Sequence, residues 1–413
     1  MRRSNVFFQG VLIFQFLLGF YIFSGLVGMV HRPVWKAGFW GLFLVEELLV
    51  LWGLYVMREK MTGAFIQSAM WQNVLIGFAF AIIVTKFVLA IFFLLDDFFR
   101  VGHFAYAKLL GTSEAVTLKS RRQFIIQSGV LLASIPLLAL IYGVLKGKYQ
   151  YELKRLSLKI KNLPQGLNGL KIIQISDIHA GNLDSPASLR KAIEMINQQA
   201  PDLILFTGDL VNRDSREIAP FIDIFKELKA KYGKYSILGN HDYVEYKHWD
   251  TLAQKSENQE LLYQFHREMD FRLLRNEHIK LTIDGEDLYI LGVENWGMPP
   301  FPQYGDLDAA LEGVPPHALK ILLSHDPTHW DQIVLDHPIH IDLTLSGHTH
   351  GAQFGIDTRW LKWSPVKFVY KRWSGLYEEK EQYLYVNRGF GVLAFPGRVG
   401  MWPEISVFSL ATS

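Results

Sequence analysis

The first 150 residues contain four long apolar runs, and this feature limits the possible folds more than any other. About 20 apolar residues in a helix cross the roughly 30 Å hydrocarbon core of a bilayer, and each run has about that length. Tryptophans lie near the ends of several runs, as they do at membrane interfaces. A buried helix of a soluble protein is the alternative for a single run, but four in succession favour a membrane bundle. The predicted spans are residues 6–30, 37–57, 74–95 and 124–145.

Three charged residues lie inside these runs. Glu46 and Glu47 interrupt the second run, and Lys86 lies in the third. Because charges are costly in lipid, we expect all three to face the bundle interior or to lie near an interface. A functional intramembrane ion pair and simple packing are both compatible with this pattern.

The composition excludes several kinds of site and partner. The chain has 413 residues and no cysteine, which excludes disulfides, thiolate zinc sites, iron–sulfur clusters and cysteine nucleophiles. Lysine and arginine together number 42 against 40 acidic residues, so the formal net charge is only +2. A balance this close to neutral argues against nucleic acid as a partner.

After residue 150 the pattern changes to that of an α/β domain. Short β-branched runs such as residues 170–175 and 203–206 predict buried strands. Amphipathic stretches alternate with them, and residues 218–231 predict one of the helices. We therefore predict a multi-pass transmembrane region over residues 1–148 and a second domain over residues 149–413.

Possible metal ligands follow several of the predicted strands. Asp177 and His179 come directly after one strand, and residues two apart in an extended segment point to the same side. Side chains that converge from several strand ends line a crevice at the edge of an α/β sheet. Each motif is weak alone, but together they favour a site over unrelated turns. The other motifs are Gly208-Asp209, Gly239-Asn240-His241-Asp242, Ser324-His325-Asp326 and Gly347-His348-Thr349-His350.

This series of motifs resembles the calcineurin-like metallophosphoesterase family, and the resemblance covers residues 165–411. It implies a four-layer α/β/β/α sandwich that holds two metal ions. The residues that would hold one ion are Asp177, His179 and His350. Those that would hold the other are Asn240, His325 and His348, with Asp209 as the bridge between the two.

The resemblance also implies a chemistry. His241 would bind no metal and would face the substrate phosphate, with Asp242 beside it. Two divalent ions would activate a bridging hydroxide for attack on phosphorus, and His241 would stabilise charge or protonate the leaving group. Imidazole, carboxylate and amide ligands without thiolate fit Mn, Fe or Zn.

Three further stretches resemble the membrane-associated branch that includes UDP-2,3-diacylglucosamine hydrolase-like enzymes. They are residues 346–353 (SGHTHGAQ), residues 385–391 (YVNRGFG) and residues 403–405 (PEI). Ala352 stands where that branch usually has a second glycine. Arg388 lies in a glycine turn, where either phosphate binding or a structural role would explain it.

The segment from Gly355 to Tyr377 interleaves cationic and aromatic residues. Such a mixture suits a membrane interface, where it would favour a lipid-linked phosphate ester as the substrate. A core strand with one solvated face would also explain it. The residues concerned are Arg359, Trp360, Lys362, Trp363, Lys367, Phe368, Tyr370, Lys371, Arg372 and Trp373.

The membrane orientation depends on residues 120–125, directly before the fourth run. Arg121 and Arg122 resemble a twin-arginine export signal, and a plain positive-inside anchor would give the same local orientation. We expect the phosphoesterase domain to lie outside the cytoplasm, although the charges at residues 146–155 oppose this.

The sequence therefore predicts an integral-membrane phosphoesterase that uses two divalent metals. Its substrate would contain a phosphodiester or pyrophosphate bond, in a phospholipid or a UDP-sugar lipid. One alternative is a metallophosphatase for a soluble phosphoester. Another is a metal-binding regulatory module attached to a membrane domain, but such a module has no need for an unliganded histidine beside the metals.

Overall fold

The computed structural model describes residues 2–63, 65–110 and 119–412. The chain divides into two compact units. The first contains Met1–Met61 and Trp71–Leu145, and the second contains Thr62–Met70 and Lys146–Ser413. The short connection between the second and third long helices thus belongs to the second unit.

The first unit consists of four long helices. They are α1 (Arg2–Val27), α2 (Pro33–Met61), α3 (Met70–Leu110) and α4 (Lys119–Leu145). All four are long and apolar enough to cross a membrane, as the sequence predicted. Helix α3 continues 15 residues beyond the predicted end of the third span at residue 95.

Lys86, Glu46 and Glu47 face the bundle interior, which confirms the expectation for these three charged residues. The Lys86 ammonium lies 2.6 Å from Glu47 Oε1, 2.8 Å from Glu46 Oε1 and 3.0 Å from Gln15 Oε1. The Gln15 amide also donates to Glu47 Oε2 over 2.8 Å. A Cβ atom at Gly19 would collide with this cluster, so the glycine leaves the space that the ion pairs fill.

The second unit contains fourteen strands in the described part of the chain. Twelve of them form two six-stranded sheets, in the orders β1-β14-β2-β3-β4-β5 and β12-β13-β9-β8-β7-β6, and β10 pairs with β11. In chain order they are β1 (Glu152–Ile160), β2 (Lys171–Ile175), β3 (Leu203–Phe206), β4 (Lys234–Ser236), β5 (Phe271–Leu273), β6 (Glu277–Ile283), β7 (Glu286–Gly292), β8 (Leu319–Leu323), β9 (Leu343–Ser346), β10 (Ile356–Asp357), β11 (Lys362–Trp363), β12 (Gly375–Glu379), β13 (Gln382–Val386) and β14 (Glu404–Thr412).

Helices cover the outer faces of the two sheets. They are α5 (Pro186–Asn197), α6 (Ile222–Lys226), α7 (Leu252–Glu268), α8 (Leu307–Leu311) and α9 (Thr328–Gln332). Helix α6 is much shorter than the predicted helix at residues 218–231. A 3₁₀ turn at Ala219–Phe221 precedes it, because Pro220 has no N–H for a continuous α-helix.

Three apolar cores separate the layers of this unit. One lies between the first sheet and α5 to α7, and it includes Ile193 and Phe225. The second lies between the sheets, with Leu205 of the first facing residues such as Ile321 of the second. The third joins the second sheet to α8 and α9 and includes Trp330. These layers are the predicted α/β/β/α sandwich.

Parallel pairing directs the candidate ligands to one edge of each sheet. Strands β2, β3 and β4 are parallel neighbours, and so are β7, β8 and β9. Their carboxyl ends therefore meet, and the predicted motifs directly follow β2, β3, β4, β8 and β9. The loops that follow β3 and β4 lie close together at Gly208, where φ is +90° and an added Cβ atom would lie 2.5 Å from the Gly239 nitrogen.

Candidate metal centre

The loops after these five strands bring the predicted ligands into three overlapping groups. Within each group the ligand atoms all lie within 4.8 Å of one another. The groups are Asp177, His179 and His350; His179, Asp209 and His241; and Asp209, His325 and His348. The histidine and aspartate members of the two predicted ligand sets are therefore adjacent.

The first group is fully buried. His179 Nε2 and His350 Nε2 are 2.9 Å apart, and His350 Nε2 lies 3.3 Å from Asp177 Oδ1. Three ligand atoms that converge in this way form a site suited to a divalent ion.

Asp209 lies between the two groups. Its Oδ2 atom is 3.6 Å from His179 Nε2 on one side and 3.2 Å from His325 Nε2 on the other. Its Oδ1 atom accepts a hydrogen bond from the backbone N–H of His241 over 2.8 Å. The carboxylate is thus held in a fixed position within reach of ligand atoms on both sides.

Three buried side-chain atoms of the predicted ligands have no hydrogen-bond partner among the described residues. They are His179 Nδ1, Asn240 Oδ1 and His325 Nε2, and the last has the Asp209 carboxylate beside it, 3.2 Å from Oδ2. Buried polar atoms are normally satisfied, so unpaired imidazole nitrogens and an unpaired amide oxygen need an explanation. Both kinds of atom are good ligands for a divalent cation, and the donor set of the site therefore fits the metal that the resemblance implied.

The charges of the ligands also suit a cation. Burial alone would raise the pKa of Asp209, but the imidazoles of His325 and His241 hold it well below its usual range. Burial lowers the pKa of both His179 and His348, which favours neutral rings that can bind a cation through a nitrogen lone pair. Burial opposes protonation of His325 too, yet Asp209 raises its pKa to about 10. His325 must therefore lose a proton before Nε2 can bind a cation.

His241 lies at the partly exposed side of the site. Its Nδ1 is 2.8 Å from the carbonyl oxygen of Asn212, so Nδ1 carries the donated proton and Nε2 points elsewhere. The ring packs against His179 at 4.9 Å and against Tyr246 at 4.3 Å between centroids. His241 also belongs to the second group, so one of its ring nitrogens lies within 4.8 Å of a ligand atom of His179 and of Asp209.

Asp242 has a positioning role that the sequence did not indicate. Its carboxylate accepts hydrogen bonds from four backbone N–H groups and so ties two ligand-bearing loops together. The donors are Asp209 and Gly239 to Oδ2, at 2.8 and 2.9 Å, and Leu210 and Val211 to Oδ1, at 2.8 and 3.2 Å.

The backbone of the site is strained in a consistent way. Five of the predicted ligands adopt a left-handed conformation, which is uncommon for residues other than glycine. Their φ angles are 53° at Asp177, 48° at His179, 60° at Asp209, 71° at His348 and 51° at His350. Such strain persists where surrounding structure over-determines it, and it is characteristic of functional sites.

Several residues around the centre were missed by the sequence reasoning. The Tyr370 hydroxyl lies 2.7 Å from His348 Nε2, and Arg398 donates to His350 Nδ1 over 3.2 Å. Asp326 Oδ2 is 3.5 Å from His348 Nε2, and the Tyr246 hydroxyl accepts from the Asn240 amide over 2.9 Å. Asp326 directly follows a predicted ligand and could have been found. No local signal marks Arg398.

Arg388 is not part of this cluster. Its guanidinium is almost fully buried and pairs with three carboxylates: Glu404 at 2.6 Å, Asp357 at 2.9 Å and Glu152 at 3.1 Å. With all its nitrogens engaged by acidic partners, the geometry favours the structural role over phosphate binding. The arginine holds the start of β1 to β14 and to the β10 strand.

Comparison with known proteins agrees with this geometry. A family model described as "Calcineurin-like phosphoesterase" matches residues 170–352. A second, described as "Probable Calcineurin-like phosphoesterase, transmembrane domain", matches residues 2–148.

Three relatives illustrate the range of the similarity. "Uncharacterized metallophosphoesterase YkuE" of Bacillus subtilis is 32% identical over 62% of this chain and 84% of its own. "Transmembrane protein with metallophosphoesterase domain" of Danio rerio is 27% identical over 98% and 95% of the two chains. "UDP-2,3-diacylglucosamine pyrophosphatase LpxG" of Chlamydia trachomatis is 28% identical over 56% of this chain and 81% of its own. The chain therefore belongs to the calcineurin-like metallophosphoesterase family, and to a branch of it that carries transmembrane helices.

Proposed function

We propose that this membrane-anchored phosphoesterase uses two divalent metal ions to hydrolyse a phosphodiester or pyrophosphate bond. The observation that carries the proposal is the position of Asp209, whose Oδ2 lies between His179 Nε2 and His325 Nε2. A single-metal site has no need for a carboxylate placed between two ligand groups.

The ligand sets follow from the groups around Asp209. Asp177, His179 and His350 would hold one ion. Asn240, His325 and His348 would hold the other, and the proposal assigns the unpaired Asn240 Oδ1 to it. Mn, Fe and Zn all suit such ligands. When bound, two such ions polarise a phosphoryl oxygen and lower the pKa of a shared water towards neutrality.

His241 would act on the leaving group. Because its Nδ1 is bound to the Asn212 carbonyl, any proton that it exchanges with the substrate is carried on Nε2. As an imidazolium it would stabilise charge on the phosphoryl oxygens, and it would then give the Nε2 proton to the departing oxygen. The Asn212 carbonyl keeps the ring oriented throughout.

A lipid-linked substrate has the best support. The chain carries four helices able to span a bilayer, and one of its relatives is named as a pyrophosphatase of a diacylated UDP-sugar. We also propose that the phosphoesterase domain faces away from the cytoplasm, because Arg121 and Arg122 begin α4 and favour its cytoplasmic start.

A hydrolysis screen tests the proposal. The purified full-length protein is depleted of metal, given Mn²⁺, Fe²⁺ or Zn²⁺, and assayed with lipid and water-soluble phosphodiesters and pyrophosphates. We expect metal-dependent release of a phosphate monoester, with the lipid substrates preferred. Equal or better turnover of soluble esters would favour the soluble-substrate alternative, and no turnover with any substrate would favour a regulatory module.

A further inference from the structure

The segment from Gly355 to Tyr377 divides into a buried and an exposed part. Trp373 is buried, so the idea that every aromatic residue here lies at an interface is wrong for this one. In contrast, Trp360 is 87% exposed, and Phe368 and Val369 are each 77% exposed. Large apolar side chains this exposed are not part of the core of their own domain.

Unpaired positive charge accompanies these apolar side chains. The Arg359 guanidinium lies 5.3 Å from the Trp360 ring centre, and the Lys367 ammonium lies 5.3 Å from that of Phe368. Neither cation takes part in an ion pair with another residue that the structure describes. Each aromatic ring is therefore presented together with a cation that is free to bind an anion.

The same segment reaches the metal centre. Ser364 donates to the carbonyl oxygen of Gly351, next to His350, over 2.7 Å. Tyr370, two residues after Phe368, has its hydroxyl 2.7 Å from His348 Nε2. The exposed side chains and the ligand His348 are thus joined by a few residues of one continuous stretch.

We propose that Trp360, Phe368 and Val369 dock into the interface of an anionic bilayer, with Arg359 and Lys367 bound to lipid phosphates. Amphipathic aromatic rings and cations are the side chains that prefer the headgroup region. The occupant is a membrane rather than a protein because the chain carries its own four candidate spans, which keep a bilayer within reach. Where it concerns the substrate, the inference rests on the proposed function: docking would let the site take its substrate from the lipid surface.

The cysteine-free sequence allows a direct test on the full-length protein. A Phe368→Cys variant is labelled with a polarity-sensitive fluorophore and reconstituted into vesicles of phosphatidylcholine alone or with an equal part of phosphatidylglycerol. The matched control is Leu252→Cys, which is 84% exposed and lies outside the segment. Spin-labelled lipids should quench the probe at position 368 in the anionic vesicles, less at high salt, and should leave the probe at 252 unaffected.

A charge variant adds a second measurement. Replacing Arg359 and Lys367 by Gln should weaken docking of the probe at position 368 roughly 30-fold, because each cation near an anionic surface contributes about a factor of five. Gln at the exposed Lys191 and Arg267 is the matched control and should change nothing.

Three results would overturn the inference. They are equal quenching at positions 368 and 252, docking that is unaffected by the loss of both cations, and a probe that becomes buried in detergent as the protein concentration rises. The last would mean that a second copy covers the surface. Because quenching does not depend on turnover, an inactive protein that still docks would refute only the proposed function.

Discussion

Replacing His241 separates proton transfer from metal binding. The His241→Gln variant keeps an amide that can donate a hydrogen bond near the position of Nε2 but cannot transfer a proton, whereas His241→Ala removes both functions. His241 Nδ1 is bound to the Asn212 carbonyl, and the hydrogen bond that Asp209 accepts from His241 comes from the backbone N–H, which both variants keep. Neither change therefore removes a proposed metal ligand. The metal content should therefore stay near that of the unchanged protein.

The expected loss of rate follows from the role of a general acid. Loss of a general acid lowers kcat by roughly 10²–10⁴-fold. For His241→Ala we expect kcat to fall by the upper part of this range with an alkyl ester. With a p-nitrophenyl ester the loss of kcat should be much smaller, because p-nitrophenolate leaves without being protonated. His241→Gln should retain the part of the rate enhancement that comes from stabilising charge by a hydrogen bond.

Steady-state kinetics with both kinds of ester and elemental analysis of the same preparations provide the assay. His278→Gln is a suitable control, because its Nδ1 lies 2.9 Å from the Ala310 carbonyl in the same kind of contact, far along the chain from the ligands. An equal loss of kcat with good and poor leaving groups would refute the proton-transfer role. Loss of one metal ion in His241→Ala would show that His241 is itself a ligand.

Three further predictions follow from other parts of the structure. Lys86→Met leaves the buried Glu47 and the partly buried Glu46 without their shared cation, so the bundle should lose about 3–5 kcal/mol of stability. Unfolding in detergent measures this loss, and an unchanged midpoint would contradict it. Because Asp209 holds the pKa of His325 at about 10, the affinity for metal should fall as the pH is lowered from 10, and binding should release about one proton from this ring per site filled. Calorimetry in two buffers of different ionisation enthalpy measures the proton release, and its absence would contradict the prediction. Trp373→Ser should cost about 3–5 kcal/mol of stability, whereas Trp360→Ser should cost almost none.

The membrane helices could be predicted because bilayer thickness sets a minimum length of apolar chain. The prediction of the third helix ended at residue 95, since Asp96, Asp97 and Arg100 interrupt the apolar pattern there. Helix α3 nevertheless continues, and Asp96 lies 3.7 Å from both Arg121 and Arg122 of α4. These contacts of Asp96 with another helix are not visible in a local pattern.

The convergence of the proposed ligands was predictable for a topological reason. Each proposed ligand directly follows a strand, and parallel pairing brings the ends of those strands together. Tyr370 and Arg398 could not be found in this way, because they reach the ligands from irregular segments far along the chain. The pairing of Arg388 with Glu152, likewise, depends on β1 and β14 being neighbours.

The left-handed backbone conformation at five of the proposed ligands could not be predicted from the sequence either. Asp177 and Asp209 can adopt this conformation more readily than most residues, but no local pattern requires it, and the surrounding loops impose it. The four N–H bonds to Asp242 are part of that constraint.

The metal content of Asp209→Asn tests the central claim most directly. Elemental analysis is made on the purified full-length protein, with Asp223→Asn as the matched control, because Asp223 is exposed on α6. A dinuclear site bridged by Asp209 predicts two equivalents of tightly held metal in the unchanged protein and in the control. It predicts the loss of both from Asp209→Asn, together with almost all phosphoesterase activity. An Asp209→Asn protein that retains two tightly bound ions and normal turnover would contradict the account.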